Sequence, residues 1–364
     1  MYKKLLYGLA LVLIGIRSVF CQSDSVSFEK VRITPLPVMY YSPETKFGLG
    51  GLVAVNFNSS VDSLTTGSYA QSFFLYTMNK QYNWDNTFRY YTPQNKLIYQ
   101  GKFSMTYFPE LYFGIATEQP LAKEDLIKYN RLSAEFKVYR EIRKSTYVGI
   151  ATRYTRIYNI DSESGGSFSL DKPIGYGGYQ LLGVAPLISF ESRKSQVYPR
   201  NGMFAEMQLM VYPEMLHQSY GFLNTRIDVR KYFPVNWLSD RDVIALQFFM
   251  TSNSGAVPFK EMADIGGNVI MRGYYTGFYR YNNLYAFQAE IRAGLWRFIG
   301  IDFWLGAALT PRKWYSLGDT GIKPNAGVGL RFMINDKDRL NIRADYGFGK
   351  QRQRGFYLDI AEAY

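Results

Sequence analysis

Residues 340–349 read LNIRADYGFG, and this stretch decides the fold class of the chain. Its apolar and polar side chains alternate with a period of two, which puts them on opposite faces of an extended strand. The apolar positions are Leu340, Ile342, Ala344, Tyr346 and Phe348, and the polar ones include Asn341, Arg343 and Asp345. The same alternation recurs in residues 202–211, 284–293 and 328–334. Repeated short segments of this kind predict an all-β protein.

Two all-β architectures carry such a pattern. A soluble sandwich turns the apolar face inward, whereas a transmembrane barrel turns it outward against lipid and keeps the charged face inside. The 32 tyrosines and 26 phenylalanines suit aromatic girdles, and opposite charges such as Arg343 and Asp345 share one polar face. Beyond the N-terminus, no stretch approaches the roughly 20 apolar residues of a transmembrane helix. We therefore predict an antiparallel transmembrane β-barrel of roughly twelve to sixteen strands.

The first residues have the layout of a secretory signal peptide. Lys3 and Lys4 precede an apolar run over residues 5–16, and Cys21 follows that run. A lipid-modified Cys21 and an uncleaved anchor are the alternatives to cleavage after residue 21. The sequence therefore predicts an exported protein of the outer membrane of a Gram-negative bacterium. The predicted divisions are a signal over residues 1–21, a short segment over 22–36 and the barrel over 37–364.

Composition argues against several functional classes. One histidine and one cysteine are too few for a His/Cys metal site or a disulfide framework. No nucleophile motif surrounds His217, so we expect no enzyme, no cofactor and no metal. The formal net charge is +12, but the basic residues are dispersed, which favours a barrel lining and rim over a nucleic-acid surface. The expected partners are outer-membrane lipid and lipopolysaccharide, with periplasmic or outer-membrane proteins as further candidates.

Four motifs follow one another along the chain: residues 35–51, 191–202, 266–274 (GGNVIMRGY) and 355–364. Together they resemble the barrel domain of the BamA/TamA family of outer-membrane proteins, also called the bacterial surface-antigen family. The resemblance covers residues 35–364 and implies sixteen strands, with a weak seam where the first and last strands meet. It also implies a long loop folded into the lumen, with Arg272, Gly273 and Tyr274 at its tip.

The sequence departs from the family pattern in two ways. The family usually has an aspartate two residues before a glycine on a strand beyond this loop, and here Trp304 takes that position before Gly306. Glu290 and Asp302 are therefore the candidate partners of Arg272. The POTRA repeats that precede the barrel in the family are also missing from this sequence, which implies a barrel-only member.

The resemblance implies that the protein assists insertion or translocation of outer-membrane proteins through the seam. We place this seam between residues 47–56, where Gly48, Gly50 and Gly51 would weaken pairing, and residues 355–364. In the latter stretch an apolar face forms the expected assembly signal: Phe356, Leu358, Ile360 and Tyr364. The alternative function is a passive channel or a scaffold barrel within a larger outer-membrane complex.

Overall fold

The chain forms a closed, all-β barrel of sixteen antiparallel strands, as the sequence predicts. The computed structural model describes residues 31–42, 46–60, 65–107, 109–116, 125–196, 198–335 and 339–364. The predicted signal peptide, including Cys21, lies outside these residues. Among the described residues, no helix has the length and apolar character needed to cross a membrane.

The strands follow one another around the barrel in chain order, and each pairs with the next. The first eight barrel strands are β1 (Val31–Ser42), β2 (Lys46–Phe57), β3 (Ser68–Thr77), β4 (Tyr82–Tyr91), β5 (Leu97–Tyr107), β7 (Asp125–Arg143), β8 (Thr146–Ser162) and β9 (Tyr179–Glu191). A short strand, β6 (Glu110–Tyr112), precedes β7 and pairs with its start. A short helix, α1 (Ser167–Asp171), lies between β8 and β9.

The remaining eight barrel strands are β10 (Gly202–Tyr212), β11 (Phe222–Pro234), β12 (Val243–Gly255), β15 (Asn283–Trp296), β16 (Ile299–Leu309), β17 (Lys323–Asn335), β18 (Leu340–Gly349) and β19 (Arg354–Ile360). A two-stranded ladder of β13 (Ala263–Asp264) and β14 (Arg280–Tyr281) lies in the long connection between β12 and β15.

The two faces of the barrel wall have opposite chemistry, as the period-two pattern requires. On β16, Phe303 and Leu305 are exposed on the outer face, while Asp302 and Trp304 are buried on the inner face. On β18, Arg343 and Asp345 are likewise buried, and Phe348 is exposed. An apolar outer wall around a charged interior is the arrangement of a transmembrane barrel, because lipid then meets apolar side chains.

The barrel closes between β1 and β19, so the placement of one side of this seam at residues 47–56 was wrong. Residues 47–56 lie within β2, which pairs along most of its length with both β1 and β3. The first barrel strand, β1, starts at Val31, ahead of the predicted start at residue 37. It contains Pro35 and Pro37, which lack the N–H that a ladder needs and are tolerated in edge strands.

Candidate functional site

The connection over residues 256–282 brings Arg272 against the inner face of three barrel strands. The Arg272 guanidinium forms ion pairs with Glu290 on β15 and Asp345 on β18, and it lies 3.9 Å from Asp302 on β16. All four side chains are fully buried. The structure thus places both candidate partners, Glu290 and Asp302, beside Arg272. It adds Asp345, a third carboxylate that the sequence alone does not point to as a partner of Arg272.

Trp304 completes the arrangement from the position where an acid was expected. The guanidinium carbon of Arg272 lies 3.8 Å from the centre of the Trp304 ring, which is a close cation–π contact. A buried arginine next to several carboxylates still needs apolar packing for its flat faces, and the indole supplies it. We call Arg272, Glu290, Asp302, Trp304 and Asp345 the Arg272 cluster.

Gly273 and Tyr274 fix the rest of the loop tip to the last three strands. Gly273 has a φ of 112°, and a β-carbon on it would lie 2.6 Å from the backbone nitrogen of Phe348. Its N–H donates to the Tyr357 hydroxyl at 3.1 Å. The Tyr274 hydroxyl donates to the carbonyl of Pro324 at 2.6 Å and accepts from the backbone N–H of Lys350. A residue with a side chain at position 273 could not make this approach.

Three further arginines extend the Arg272 cluster along the inner wall. Arg331 forms ion pairs with Asp302 and Asp345, so it shares two carboxylates with Arg272. Arg343 pairs with Asp345 at 2.7 Å and with Asp359 on β19 at 2.8 Å. Arg292 pairs with Glu290 at 2.6 Å. Buried charges in such a network depend on one another, because removal of one leaves its partners uncompensated.

The end of the chain turns inward, which corrects the placement of Tyr364. Phe356 is exposed on the outer face of β19, and Leu358 and Ile360 are partly buried along the same strand. Strand β19 ends at Ile360, and Ala361 has a φ of 66°, so Tyr364 does not continue their face. It is buried with Ala363 in a cluster on the inner wall: Tyr198, Tyr232, Val243 and Ala245.

Glu362 explains why the strand pattern breaks where it does. Its carboxylate pairs with Arg331 at 2.9 Å and accepts a hydrogen bond from the side-chain amide of Asn341. It also lies 3.7 Å from Arg292, and Arg292 donates to the main-chain oxygen of Tyr364 at 2.7 Å. The inward turn therefore gives a buried carboxylate two cationic neighbours, which an outward position would not.

A carboxylate at the same end of the barrel as Glu362 joins the turn between β11 and β12 to strand β15. Asp242, between β11 and β12, accepts hydrogen bonds from the backbone N–H groups of Ser239 and Gly294, both at 2.9 Å. Burial by itself would raise the pKa of Asp242, but hydrogen bonds from the N–H groups of Leu238, Gly294 and Ser239 lower it to about 2. The sequence gives no periodic signal for such a turn-capping role.

The one histidine belongs to none of the clusters described above. His217 is exposed in the connection over residues 213–221 between β10 and β11. Over the described ranges of the chain, no group of histidine, cysteine, aspartate and glutamate side chains could hold a metal ion.

A closed sixteen-stranded barrel with an apolar outer wall and a buried arginine cluster defines a class: large β-barrels of the outer-membrane type. Three solved structures share the fold. BamA from Haemophilus ducreyi lacking POTRA domains 1–3 matches with a TM-score of 0.58 and 11% identity, over 91% of this chain and 70% of that chain. CdiB from Acinetobacter baumannii matches with a TM-score of 0.57 and 11% identity, over 91% of this chain and 60% of that chain, and CdiB from Escherichia coli with a TM-score of 0.60 and 8% identity, over 93% of this chain and 63% of that chain.

These similarities are similarities of fold, because the identities are at most 11%. The chain spans less than two thirds of the length of both CdiB structures. No family model matches the sequence, and no curated protein matches it either. The fold supports a position in an outer membrane.

Proposed function

We propose that the protein assists the insertion or translocation of outer-membrane proteins through the seam between β1 and β19. The observation that carries this proposal is the difference between the two sides of β1. Among the described residues, β1 pairs in register with β19 only at Tyr41 and Leu358, whereas it pairs with β2 along its whole length, from Val31 to Ser42. Unpaired backbone groups of an edge strand are costly in lipid. A client strand that pairs with either edge relieves that cost, which gives the client a reason to enter there.

The Arg272 cluster supports the proposal by holding one side of the seam in place. Arg272 joins the loop to β15 and β18, and Gly273 donates to Tyr357 on β19. The loop tip then acts as an internal brace that keeps β15 to β19 together as one wall. Movement at the seam would therefore fall on the side of β1, whose pairing to β19 is short.

The orientation follows from the lengths of the connections. The connections over residues 163–178, 256–282 and 310–322 lie at one end of the barrel, and residues 144–145 and 297–298 form tight turns at the other. Outer-membrane barrels carry long connections at the cell surface and short turns in the periplasm. We assign the long connections to the cell surface, and the periplasmic end to contact with partner proteins. In this proposal, the signal peptide predicted over residues 1–21 directs export of the chain.

A passive channel or scaffold barrel is the second candidate function. The inner wall of β8, β10, β11 and β12 borders a cavity of about 130 Å³ near Arg153, Asn224, Arg226 and Thr251. A polar cavity of this kind could form part of a path for small solutes. The channel function predicts conductance that does not depend on the seam.

A disulfide across the seam tests the first function. Tyr41→Cys with Leu358→Cys bonds the two registered residues across the seam. Ala344→Cys with Leu358→Cys is the matched control, because these residues face each other in the continuous pairing of β18 with β19. In liposomes containing the purified protein, we expect faster folding of a test outer-membrane barrel, and we expect oxidation of the seam pair to abolish the acceleration while the control pair leaves it intact.

The same variants separate the two functions. If the protein does not accelerate folding in its reduced state, the insertion function is wrong. If conductance across a planar bilayer is equally large with the seam oxidised and reduced, the channel function is favoured.

A further inference from the structure

We propose that the cell-surface end of β16–β19 binds the headgroup of a phosphorylated glycolipid of the surrounding outer leaflet. The binding surface consists of the connection over residues 310–322 and the turn over residues 350–353, which we call the aromatic–cationic patch. The inference rests on the membrane orientation given above and deepens it. It does not depend on opening of the seam.

The two parts of the patch are adjacent in the fold. Strands β16, β17, β18 and β19 are consecutive neighbours in the barrel, so the connection from β16 to β17 and the turn from β18 to β19 lie at the same end. A β-carbon built on Gly321 would lie 3.3 Å from the Nζ atom of Lys350. The turn therefore touches the connection directly.

Two aromatic rings stand out from the patch on a fixed backbone. The side chains of Trp314 and Tyr315 are 65% and 61% exposed, and their rings meet edge to face at 5.4 Å. The Tyr285 hydroxyl donates to the Trp314 carbonyl at 2.6 Å, and the Asn283 amide donates to the carbonyls of Pro311 and Arg312, both at 3.0 Å. Barrel side chains thus hold the backbone that carries the two rings, while most of each side chain stays exposed.

Exposed aromatic rings at this level of a barrel have a chemical use. Tryptophan and tyrosine concentrate at membrane interfaces because their rings are apolar on the faces and polar at one edge. The C–H face of a sugar ring is a suitable partner for such a ring face. An indole on a fixed backbone loses less conformational freedom on binding than one on a mobile loop, which favours recognition over loose adsorption.

Uncompensated positive charge surrounds the rings. Five exposed cations lie in or next to the patch: Arg312, Lys313, Lys350, Arg352 and Arg354. Asp319 is also in the connection, where its carboxylate accepts hydrogen bonds from the Arg312 N–H and the Ser316 hydroxyl. Within the described ranges, no carboxylate lies within ion-pair distance of any of the five cationic groups. Phosphate groups are the natural counter-charges for arginine and lysine side chains of this kind.

The combination selects one ligand class. A phospholipid headgroup offers phosphate without a sugar ring, and a neutral glycan offers sugar without charge. A phosphorylated glycolipid offers both a phosphate and a sugar ring at the depth of the headgroups. Arg354, the first residue of β19, is exposed at that depth. The patch also borders β19, so the bound lipid would lie beside the seam.

Binding of lipid A tests the proposal with the purified full chain in detergent micelles. The probe is fluorescent diphosphorylated lipid A, competed with dephosphorylated lipid A or with phosphatidylglycerol. We expect about tenfold weaker binding when Arg312→Gln, Lys313→Gln and Lys350→Gln are combined, because the triple variant loses three exposed ion pairs with the phosphates. Trp314→Ala with Tyr315→Ala should weaken lipid A binding while leaving the weaker binding of phosphatidylglycerol unchanged.

A matched control lies at the opposite end of the barrel. Trp237→Ala with Lys144→Gln removes an aromatic ring and a cation from periplasmic turns, where Trp237 is 60% exposed. This control should bind lipid A as the unmodified protein does. Equal competition by phosphatidylglycerol and lipid A would overturn the proposal, as would unchanged lipid A binding after loss of Trp314 and Tyr315. No folding substrate is present in the assay, so its failure is distinct from failure of the insertion function.

Discussion

The guanidinium of Arg272 lies over the indole of Trp304, with 3.8 Å between the guanidinium carbon and the ring centre. The ring occupies the position where an aspartate was expected, and the counter-charge comes from Glu290 and Asp345 instead. The loop tip is therefore held by charge on its sides and by an aromatic ring on its face. Carboxylates on β15 and β18 therefore replace the single aspartate that was expected on β16.

Replacing the ring tests its contribution. Trp304→Leu removes the cation–π contact and leaves a void, and we expect a loss of stability of about 2 kcal/mol or more, because the contact is desolvated. The measurement is urea-induced unfolding of the protein in lipid vesicles. Trp314→Leu is the control, since Trp314 is exposed and its loss should leave the unfolding midpoint unchanged. Equal effects of the two substitutions would contradict a special role for Trp304.

Removing the arginine should have a larger effect. Arg272→Ala leaves Glu290, Asp302 and Asp345 short of one cation inside the barrel, and breaking a buried pair in this way costs about 3–5 kcal/mol. We expect the connection over residues 256–282 to become sensitive to added protease and the conductance of the barrel to rise. Arg272→Lys should not restore protection, because an ammonium cannot reach several carboxylates in one plane while stacking on Trp304.

Protease resistance of Arg272→Ala equal to that of the unmodified protein would show that the remaining contacts of the loop suffice. Lys260→Gln is a useful comparison, because Lys260 lies in the same connection but pairs with Glu110, away from the Arg272 cluster. Its effect should stay local to that pair.

Gly273 offers a backbone test of the same contact. Gly273→Ala puts a methyl group against the backbone of Gly347 and Phe348 at a φ of 112°, so the loop tip must withdraw from β18. We expect a loss of stability of about 1–3 kcal/mol, a typical cost of a residue forced into such a region. Gly318→Ala is the control, because nothing lies within 4 Å of a β-carbon there and its φ is ordinary. Unfolding in vesicles separates the two variants.

The sequence predicts the barrel well because its wall is periodic. In a stretch such as Leu340–Gly349, each side chain faces lipid or lumen by its parity alone, so composition and alternation suffice to find the strand. The loop tip is local as well, since Arg272, Gly273 and Tyr274 are consecutive. The pairing of Arg272 with Asp345 is different, because the two residues are far apart in the chain and meet only once the barrel has closed.

Two misplaced features have one physical origin, which is that strand ends do not follow the pattern of strand interiors. The first strand, β1, begins at Val31 and contains Pro35 and Pro37, which an edge strand tolerates but a strand interior does not, so the pattern of interior strands does not locate its start. At the other end, period-two counting carried Tyr364 along with Phe356, but the left-handed turn at Ala361 breaks the count. Edge and end positions are set by tertiary contacts, which a local pattern does not contain.

Asp242 predicts a pH dependence of stability. Its pKa is lowered to about 2 in the folded state, against about 3.9 for an unperturbed aspartate. A lowered pKa means that the stabilisation is complete above about pH 4 and is lost as the pH falls toward about 2. Asp242→Asn should destabilise the protein at neutral pH, because an amide cannot accept all the hydrogen bonds that the carboxylate accepts from Ser239 and Gly294.

The measurement is the difference in unfolding midpoint between the unmodified protein and Asp242→Asn, followed from pH 7 downward. We expect the difference to stay constant to about pH 4 and then to shrink. Asp240→Asn is the control, because Asp240 is exposed in the same turn and pairs with Arg339 at the surface. A difference that does not change with pH would mean that Asp242 acts through its shape rather than its charge.

Tyr364 separates packing from hydrogen bonding at the end of the chain. Its ring is buried with Tyr232 and Val243 on the opposite wall, and within the described structure its hydroxyl has no hydrogen-bond partner. Tyr364→Phe keeps the ring and removes an unsatisfied buried hydroxyl, so it should leave stability unchanged or raise it slightly. Tyr364→Ala empties the site and should cost about 3–5 kcal/mol. Because only residues 361–363 separate Tyr364 from β19, Tyr364→Ala should also free the end of that strand and raise the rate at which a thiol reagent reacts with a Leu358→Cys variant. Equal thiol accessibility in the alanine and phenylalanine variants would show that the buried ring does not restrain the seam strand.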